Sequence, residues 1–212
     1  MRLVLASASP RRAELLSAAG FSFETLAVDI DESVRPGEDP AGYVRRLALE
    51  KSARAQEILL ESAGSAGRGL SGQADGSRAS AASPEDLVVL GADTTVVVAD
   101  EILLKPRNRL DAARMLRLLS GRRHAVLTGV SLRRTDRELG GVETTTVDFV
   151  PLNEADVVWY RDSREGLDKA GGYAIQGLAS RFISRIEGSY ANVVGLPVCA
   201  VSGWLQRLAS GE

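Results

Sequence analysis

The first apolar run, residues 3–6, is long enough for a buried strand. Two hydroxyls follow, Ser7 and Ser9, and then Pro10. Ser9 stands where a helix N-cap is expected and Pro10 where the first helical residue falls. Ala13, Leu15, Leu16 and Ala19 continue that helix to Gly20, a terminating residue. Residues 21–28 predict a second strand. An acidic loop with Asp29, Asp31 and Glu32 then leads to Pro36-Gly37. Asp39 caps and Pro40 opens a helix whose apolar stripe runs Val44, Leu47, Ala48, Ala55, Ile58, Leu59. Residues 62–83 have no hydrophobic period and are rich in Gly, Ser and Ala. They predict a flexible insertion within a single domain spanning 1–212.

After the insertion, 87–90 is a buried-type strand that runs into Gly91-Ala92-Asp93-Thr94-Thr95. Residues 96–98 and 102–104 flank Ala99-Asp100-Glu101 as a hairpin. A helix follows over 110–119, with Ala112, Ala113, Leu116 and Leu119 inward and Gly121 as its stop. Residues 125–132 and 142–150 predict two long strands, the second alternating Thr144, Thr146 and Asp148 against Thr145, Val147 and Phe149. Asn153 caps a helix through Val157, Val158 and Trp159. Residues 173–175, 182–186 and 190–194 are short strand candidates among glycines, and Pro197 opens a last helix ending near Leu208. Helices and strands interleave, so the expected class is α/β: a mixed, twisted sheet flanked by helices. There is no internal repeat.

Composition narrows the partners. Apolar residues make up 44% of the chain, ordinary for a globular core, and the net charge of -2 with no basic run argues against a nucleic-acid binder. The start of the chain has no long apolar stretch of the signal-peptide kind, and no run approaches the roughly 18 residues needed to cross a bilayer. The single cysteine, Cys199, cannot close an internal disulfide and sits among Val198, Ala200 and Val201. A reducing cytoplasm and a core position fit it.

Several polar residues interrupt this pattern in informative places. Arg11 and Arg12 fall in the first turn of a helix, where the dipole disfavours cations. Either they point to water or they cradle an anion with the helix N-terminal amides, phosphate above all. Lys51 lies on the apolar stripe of its helix, seven residues after Val44 and seven before Ile58. It is either a lysine snorkelling to the edge or a phosphate ligand. Asp93 follows a buried strand and two small residues, so its carboxylate is expected to emerge at a strand's C-terminal end, where ligands of open α/β sheets gather. The alternative is a turn aspartate that caps local backbone. The only histidine, His124, has strand-like neighbours and reads as structural. One histidine excludes a histidine-cluster metal site and weakens any serine–histidine triad. No Gly-Lys-Ser/Thr occurs, so this is no P-loop protein. The remaining vocabulary of carboxylate, lysine, arginine and hydroxyl suits phosphoryl chemistry with a hard divalent ion.

The stretch Ser7-x-Ser9-Pro10-Arg11-Arg12-x-Glu14-Leu15-Leu16 resembles the N-terminal signature of the Maf family of nucleotide pyrophosphatases. Further stretches resemble the same family in order: Glu50-Lys51, Gly91-Ala92-Asp93-Thr94, Lys105-Pro106, Asp168-Lys169-Ala170-Gly171-Gly172-Tyr173-Ala174-Ile175-Gln176-Gly177 and Glu187-Gly188-Ser189-Tyr190-Ala191-Asn192-Val193-Val194-Gly195-Leu196-Pro197. The insertion at 62–83 lies between motifs. The resemblance implies a nucleotide cleft of the Maf and inosine triphosphate pyrophosphatase kind. It also implies hydrolysis of a nucleoside triphosphate to monophosphate and pyrophosphate, and a cytoplasmic homodimer. By the same resemblance Asp93 is the general base, and Glu32 with Asp93 holds Mg²⁺ or Mn²⁺. Ser7, Ser9, Arg12, Lys51 and Lys105 grip the phosphates. Arg11, Thr94 and Gln176 match the dTTP and UTP branch. A glutamine amide can both donate to and accept from a uracil edge. Two other readings stay open: a pyrophosphatase for modified nucleotides such as 7-methyl-GTP, and a nucleotide-sensing regulator of cell division whose hydrolysis is incidental.

Overall fold

In a computed structural model, which describes residues 1–67 and 86–210, the chain is built on one seven-stranded mixed sheet. Strand β1 (Arg2–Ala6) pairs in parallel with both β2 (Glu24–Thr25) and β3 (Leu87–Val98). From β3 onward the sheet is antiparallel: β4 (Glu101–Leu103) and β5 (Arg123–Arg134) flank β3, then come β6 (Arg137–Phe149) and β7 (Ile183–Glu187). The expected α/β class with a mixed sheet is what forms.

Helices cover both faces. Leu3, Leu5, Leu90, Val130 and Leu132 on one face pack against Leu16 of α1 (Pro10–Ala18) and Val201, Leu205 and Leu208 of α6 (Val198–Ser210). Each leucine side chain fully buried this way is worth roughly 1.5–3 kcal/mol. On the opposite face α2 (Pro40–Gly67) crosses β3 and β5, with Val44, Leu47, Ala48 and Ala55 buried as its stripe predicts. Its start is as expected: Asp39 Oδ1 accepts from the Gly42 amide at 2.7 Å. A further core gathers Val96, Leu103, Val126 and Phe149 with Leu116 and Leu119 of α3 (Arg109–Leu119) and Val157 and Tyr160 of α4 (Glu154–Ser163). Asn153 caps α4 in a reciprocal capping box with Asp156.

Two glycines set the distance between α2 and the sheet. A Cβ on Gly91 would run into the Ala48 carbonyl, and one on Gly129 would run into the Val44 carbonyl. Gly129 sits directly across from Asp93 in the β3–β5 ladder. The bare backbone at both positions lets α2 lie against the strands, and Ser52 Oγ then meets Ser131 Oγ at 2.8 Å between helix and sheet.

Several expectations are corrected. Residues 21–28 do not form a full strand; only Glu24 and Thr25 pair, at the sheet edge. The strand at 87–90 and the first hairpin arm are one continuous twelve-residue strand, so Asp93 is mid-strand rather than at a strand end. Residues 173–175 carry no strand. Residues 190–194 are helix α5 (Tyr190–Val194), because the Ser189 side chain accepts from the Asn192 amide and turns the backbone. α2 continues through 62–67, the first part of the expected insertion, and the stretch 68–83 lies outside the described residues. Cys199 is exposed: α6 turns Val201, Leu205 and Leu208 inward, and two residues before Val201 the helix faces away.

Candidate active site

Asp93 reaches open space because its parallel neighbour is short. β1 ends at Ala6, opposite Gly91, so β3 runs on past it with Asp93 and Thr94 beyond the end of the parallel pair. A cavity of about 500 Å³ opens there. All ten residues singled out from the sequence line it: Ser7, Ser9, Arg11, Arg12, Glu32, Lys51, Asp93, Thr94, Lys105 and Gln176. The volume is within the range of small-molecule sites.

Lys51 does not snorkel. It is buried, and its Nζ lies 2.7 Å from Asp93 Oδ1 and 2.6 Å from Glu32 Oε1. Burial pushes the Glu32 carboxyl up, but the hydrogen bond from Lys51 and the charges of Lys51, Lys105 and Arg12 outweigh it and hold the carboxyl below its ordinary value. The loop carrying Glu32 is tied to α2. The Tyr43 hydroxyl donates to the Glu32 carbonyl at 2.9 Å, and Arg46 donates to Glu38 at 2.6 and 2.8 Å and to the Ser33 carbonyl at 2.9 Å.

Arg12 is buried too, and it does not point to water. Its Nε donates to the Gly195 carbonyl at 2.8 Å, one Nη to Ser7 Oγ at 3.1 Å and the other to Thr94 Oγ1 at 3.0 Å. All three partners are neutral oxygens. Burial lowers the guanidinium pKa from its ordinary value, with the Asp93 charge pulling the other way. A guanidinium keeps its proton in proteins and has five N–H groups, so two remain for an anion. Ser9 occupies the N-cap position of α1, but its hydroxyl does not cap the helix. Its amide instead donates to Ser7 Oγ at 3.2 Å. Both serine hydroxyl protons therefore stay free to turn into the cavity.

At the rim, Arg11 donates to Asp168 Oδ2 at 3.0 Å and Lys169 to Asp168 Oδ1 at 2.6 Å. Burial raises the Asp168 carboxyl, but the hydrogen bonds from Lys169 and Arg11 prevail and bring it down to about 2. Asp168 and Lys169 stood inside a recognised motif without an assigned role, and the structure brings both to the cavity. Lys105 and Gln176 also line it, and neither side chain bonds to another described residue. His124 does not line the cavity: it is buried, with Nε2 2.8 Å from the hydroxyl of Tyr173, which does line it.

The family model described as Maf-like protein matches residues 2–208. The chain belongs to the Maf family. It is 44% identical over 210 residues to a protein of Anaeromyxobacter dehalogenans strain 2CP-C named dTTP/UTP pyrophosphatase, covering 97% of this chain and 93% of that one. A Hahella chejuensis protein of the same name is 47% identical over 201 residues (93% of this chain, 88% of that one), and one from Vibrio parahaemolyticus is 45% identical over 207 residues (98% and 97%). Against these Maf relatives the chain is covered almost end to end, so the cavity described above lies wholly within the shared region.

Proposed function

We propose that this Maf protein is a nucleoside triphosphate pyrophosphatase that hydrolyses dTTP and UTP to the nucleoside monophosphate and pyrophosphate. One observation carries the reading: carboxylates, cations and free hydroxyls from six separate segments converge on one cavity around Asp93. The shared name of the relatives at 42–47% identity supports the substrates.

In this reading Asp93 takes the proton of a water whose oxygen attacks the α-phosphorus, the bond from that phosphorus to the bridging oxygen breaks, and pyrophosphate leaves. Arg12 binds with its two unspent N–H groups, Ser7 and Ser9 with their hydroxyl protons. Lys51 and Lys105 add positive charge where negative charge accumulates. Arg11 and Gln176 stand at the base.

The donor set fits a hard divalent cation. Glu32 and Asp93 already direct oxygens at one shared cation, Lys51. Among the described residues no group of three or more His, Cys, Asp or Glu forms. Two carboxylates suit magnesium or manganese, which keep water and phosphate oxygens as remaining ligands, and do not suit a closed zinc site. When bound, such an ion neutralises charge on the transferring phosphoryl group. The resemblance also supports a homodimer, which a mass measurement in solution tests. A cytoplasmic location agrees with the lone cysteine, and no helix among the described residues is long and apolar enough to cross a membrane.

The test is a pyrophosphate-release screen over common and modified nucleotides, with Mg²⁺, with Mn²⁺ and with chelator. Release from dTTP and UTP, abolished by chelator, is expected. Tight triphosphate binding without any release would replace the enzyme with a nucleotide sensor, and preference for 7-methyl-GTP would move it to the other branch.

A further inference from the structure

We infer that Thr94 serves the phosphate end of the cavity by orienting Arg12, and that Thr128 behind it is a second positioning residue for the same guanidinium. This rests on the reading of Arg12 as a phosphate ligand.

Thr94 follows Asp93 on β3, so the two side chains leave opposite faces of the strand. Asp93 faces Lys51 on α2, while Thr94 faces Arg12 and Gly195. A threonine hydroxyl has one proton and two lone pairs. Here it accepts from Arg12 at 3.0 Å, meets Thr128 Oγ1 at 3.0 Å and lies 3.3 Å from the Gly195 carbonyl. Its one proton goes to Thr128 or to the Gly195 carbonyl and one lone pair goes to Arg12, so most of its hydrogen-bonding capacity is turned toward the guanidinium and the protein behind it.

Thr128 is fully buried and does not line the cavity. Its Oγ1 donates to the Asn192 carbonyl at 3.2 Å. One proton assignment satisfies the whole line: the Arg12 N–H donates to Thr94, the Thr94 hydroxyl to Thr128, and the Thr128 hydroxyl to the Asn192 carbonyl. Hydrogen bonds in such a chain polarise one another, and the first donor is charged. The far end is fixed, because Asn192 Nδ2 donates to the Val126 carbonyl and to Thr145 Oγ1, both at 3.1 Å. The Thr94 side of Arg12 is thus anchored from β5, β6 and α5. That line fixes one of the three hydrogen bonds that aim the buried guanidinium, beside those to the Gly195 carbonyl and Ser7.

The probe that separates the two roles is inorganic tripolyphosphate, which has phosphates and no base. Calorimetric titration of wild type, Thr94→Val, Thr94→Ser, Thr128→Val and Thr128→Ser is paired with kcat/KM for UTP and GTP. Each valine variant is expected to bind tripolyphosphate at least about fivefold more weakly, the effect of losing one hydrogen bond of ordinary strength. It should lower kcat/KM for both nucleotides by the same factor, leaving their ratio unchanged, and serine should restore both readouts. Unchanged tripolyphosphate binding with a shifted UTP-to-GTP ratio would mean that Thr94 reads the base, and it would overturn the inference, as would valine variants equal to wild type. Should Thr128→Val not fold, Thr94→Val at its partly exposed site decides alone. Wild type that holds tripolyphosphate but releases no pyrophosphate from any nucleotide overturns the pyrophosphatase reading and not this one. Wild type that does not hold tripolyphosphate overturns both.

Discussion

Lys51 Nζ donates to Asp93 Oδ1 at 2.7 Å across the gap between α2 and β3. The lysine also reaches Glu32 Oε1 at 2.6 Å, so one ammonium serves two carboxylates from different segments. A buried charge without a partner would cost several kcal/mol, and this sharing is what lets Lys51 and Asp93 both sit inside. Asp93→Asn keeps the shape, leaves Lys51 its bond to Glu32 and removes the proposed base. Turnover is expected to fall about 10²–10⁴-fold, the usual loss for a positioned base, with an unchanged circular dichroism spectrum. A wild-type kcat in the variant would show that Asp93 is not the base.

Gly129→Ala tests how that contact is made. The new Cβ would strike the Val44 carbonyl and come within 2.8 Å of the Arg45 amide, both backbone atoms that cannot turn aside. The helix must retreat, at an overpacking cost of about 1–3 kcal/mol. For a chain of this size that lowers Tm by roughly 2–4 °C per kcal/mol. Retreat of α2 also withdraws Lys51 from Asp93, so kcat is expected to drop alongside Tm. An unaltered Tm would mean that the close approach at Gly129 does not hold the helix.

Four of the polar residues that line the cavity are legible because they break an expected pattern: Lys51 on a helix stripe, Asp93 beside a buried run, Arg11 and Arg12 at the wrong end of a helix dipole; Ser7, Ser9, Glu32, Thr94, Lys105 and Gln176 take their roles from the family resemblance alone. Asp93 and Gly91 also misled, since a glycine and an aspartate inside a run of valines look like a turn. In the fold they are interior strand residues, the glycine to admit α2 and the aspartate because Lys51 meets it. The groups that orient Arg12 left no such mark. The Gly195 carbonyl is backbone, and Thr128 is an unremarkable threonine in a strand, 34 residues from Thr94. Their roles depend on long-range pairing that no local period records.

Stability is expected to fall below neutral pH because of His124. The ring is buried edge-on against Phe149 and Tyr173, with centroids 5.1 and 5.4 Å away. Burial lowers its pKa to about 4, against the opposing pull of the Arg122 backbone and the Asp148 charge. An unfolded histidine binds its proton near pH 6.5, so between these values unfolding takes up a proton. Stability is complete above about pH 6.5 and is lost as pH falls toward 4. Between pH 7 and pH 5 the loss should be about 2 kcal/mol in urea titrations. His124 is the only histidine, so His124→Gln should flatten that slope. A variant with the wild-type slope would assign the acid sensitivity to other groups.

The preference for dTTP and UTP is expected to rest on Gln176. Its loop is held by other contacts: the Gly177 amide donates to the Ala174 carbonyl at 3.2 Å, and the Leu178 amide to Glu165 Oε1 and Oε2, both at 3.0 Å. The Gln176 side chain is exposed, lines the cavity and bonds to no described residue, so its amide is unspent. A uracil or thymine edge offers one N–H between two carbonyls, and an amide can accept from the first and donate to the second. A glutamate can only accept, which suits the adjacent donors of guanine. Sites that hydrogen-bond their substrate reject mismatched edges strongly, because a polar group covered by the bound base is left unpaired. Gln176→Glu is therefore expected to lower kcat/KM for UTP at least about tenfold, or roughly 1.4 kcal/mol, while GTP loses less. Tripolyphosphate affinity should stay at the wild-type value, since the change lies at the base. Equal wild-type kcat/KM for UTP, dTTP, GTP and 7-methyl-GTP would sink the specificity and leave the pyrophosphatase standing.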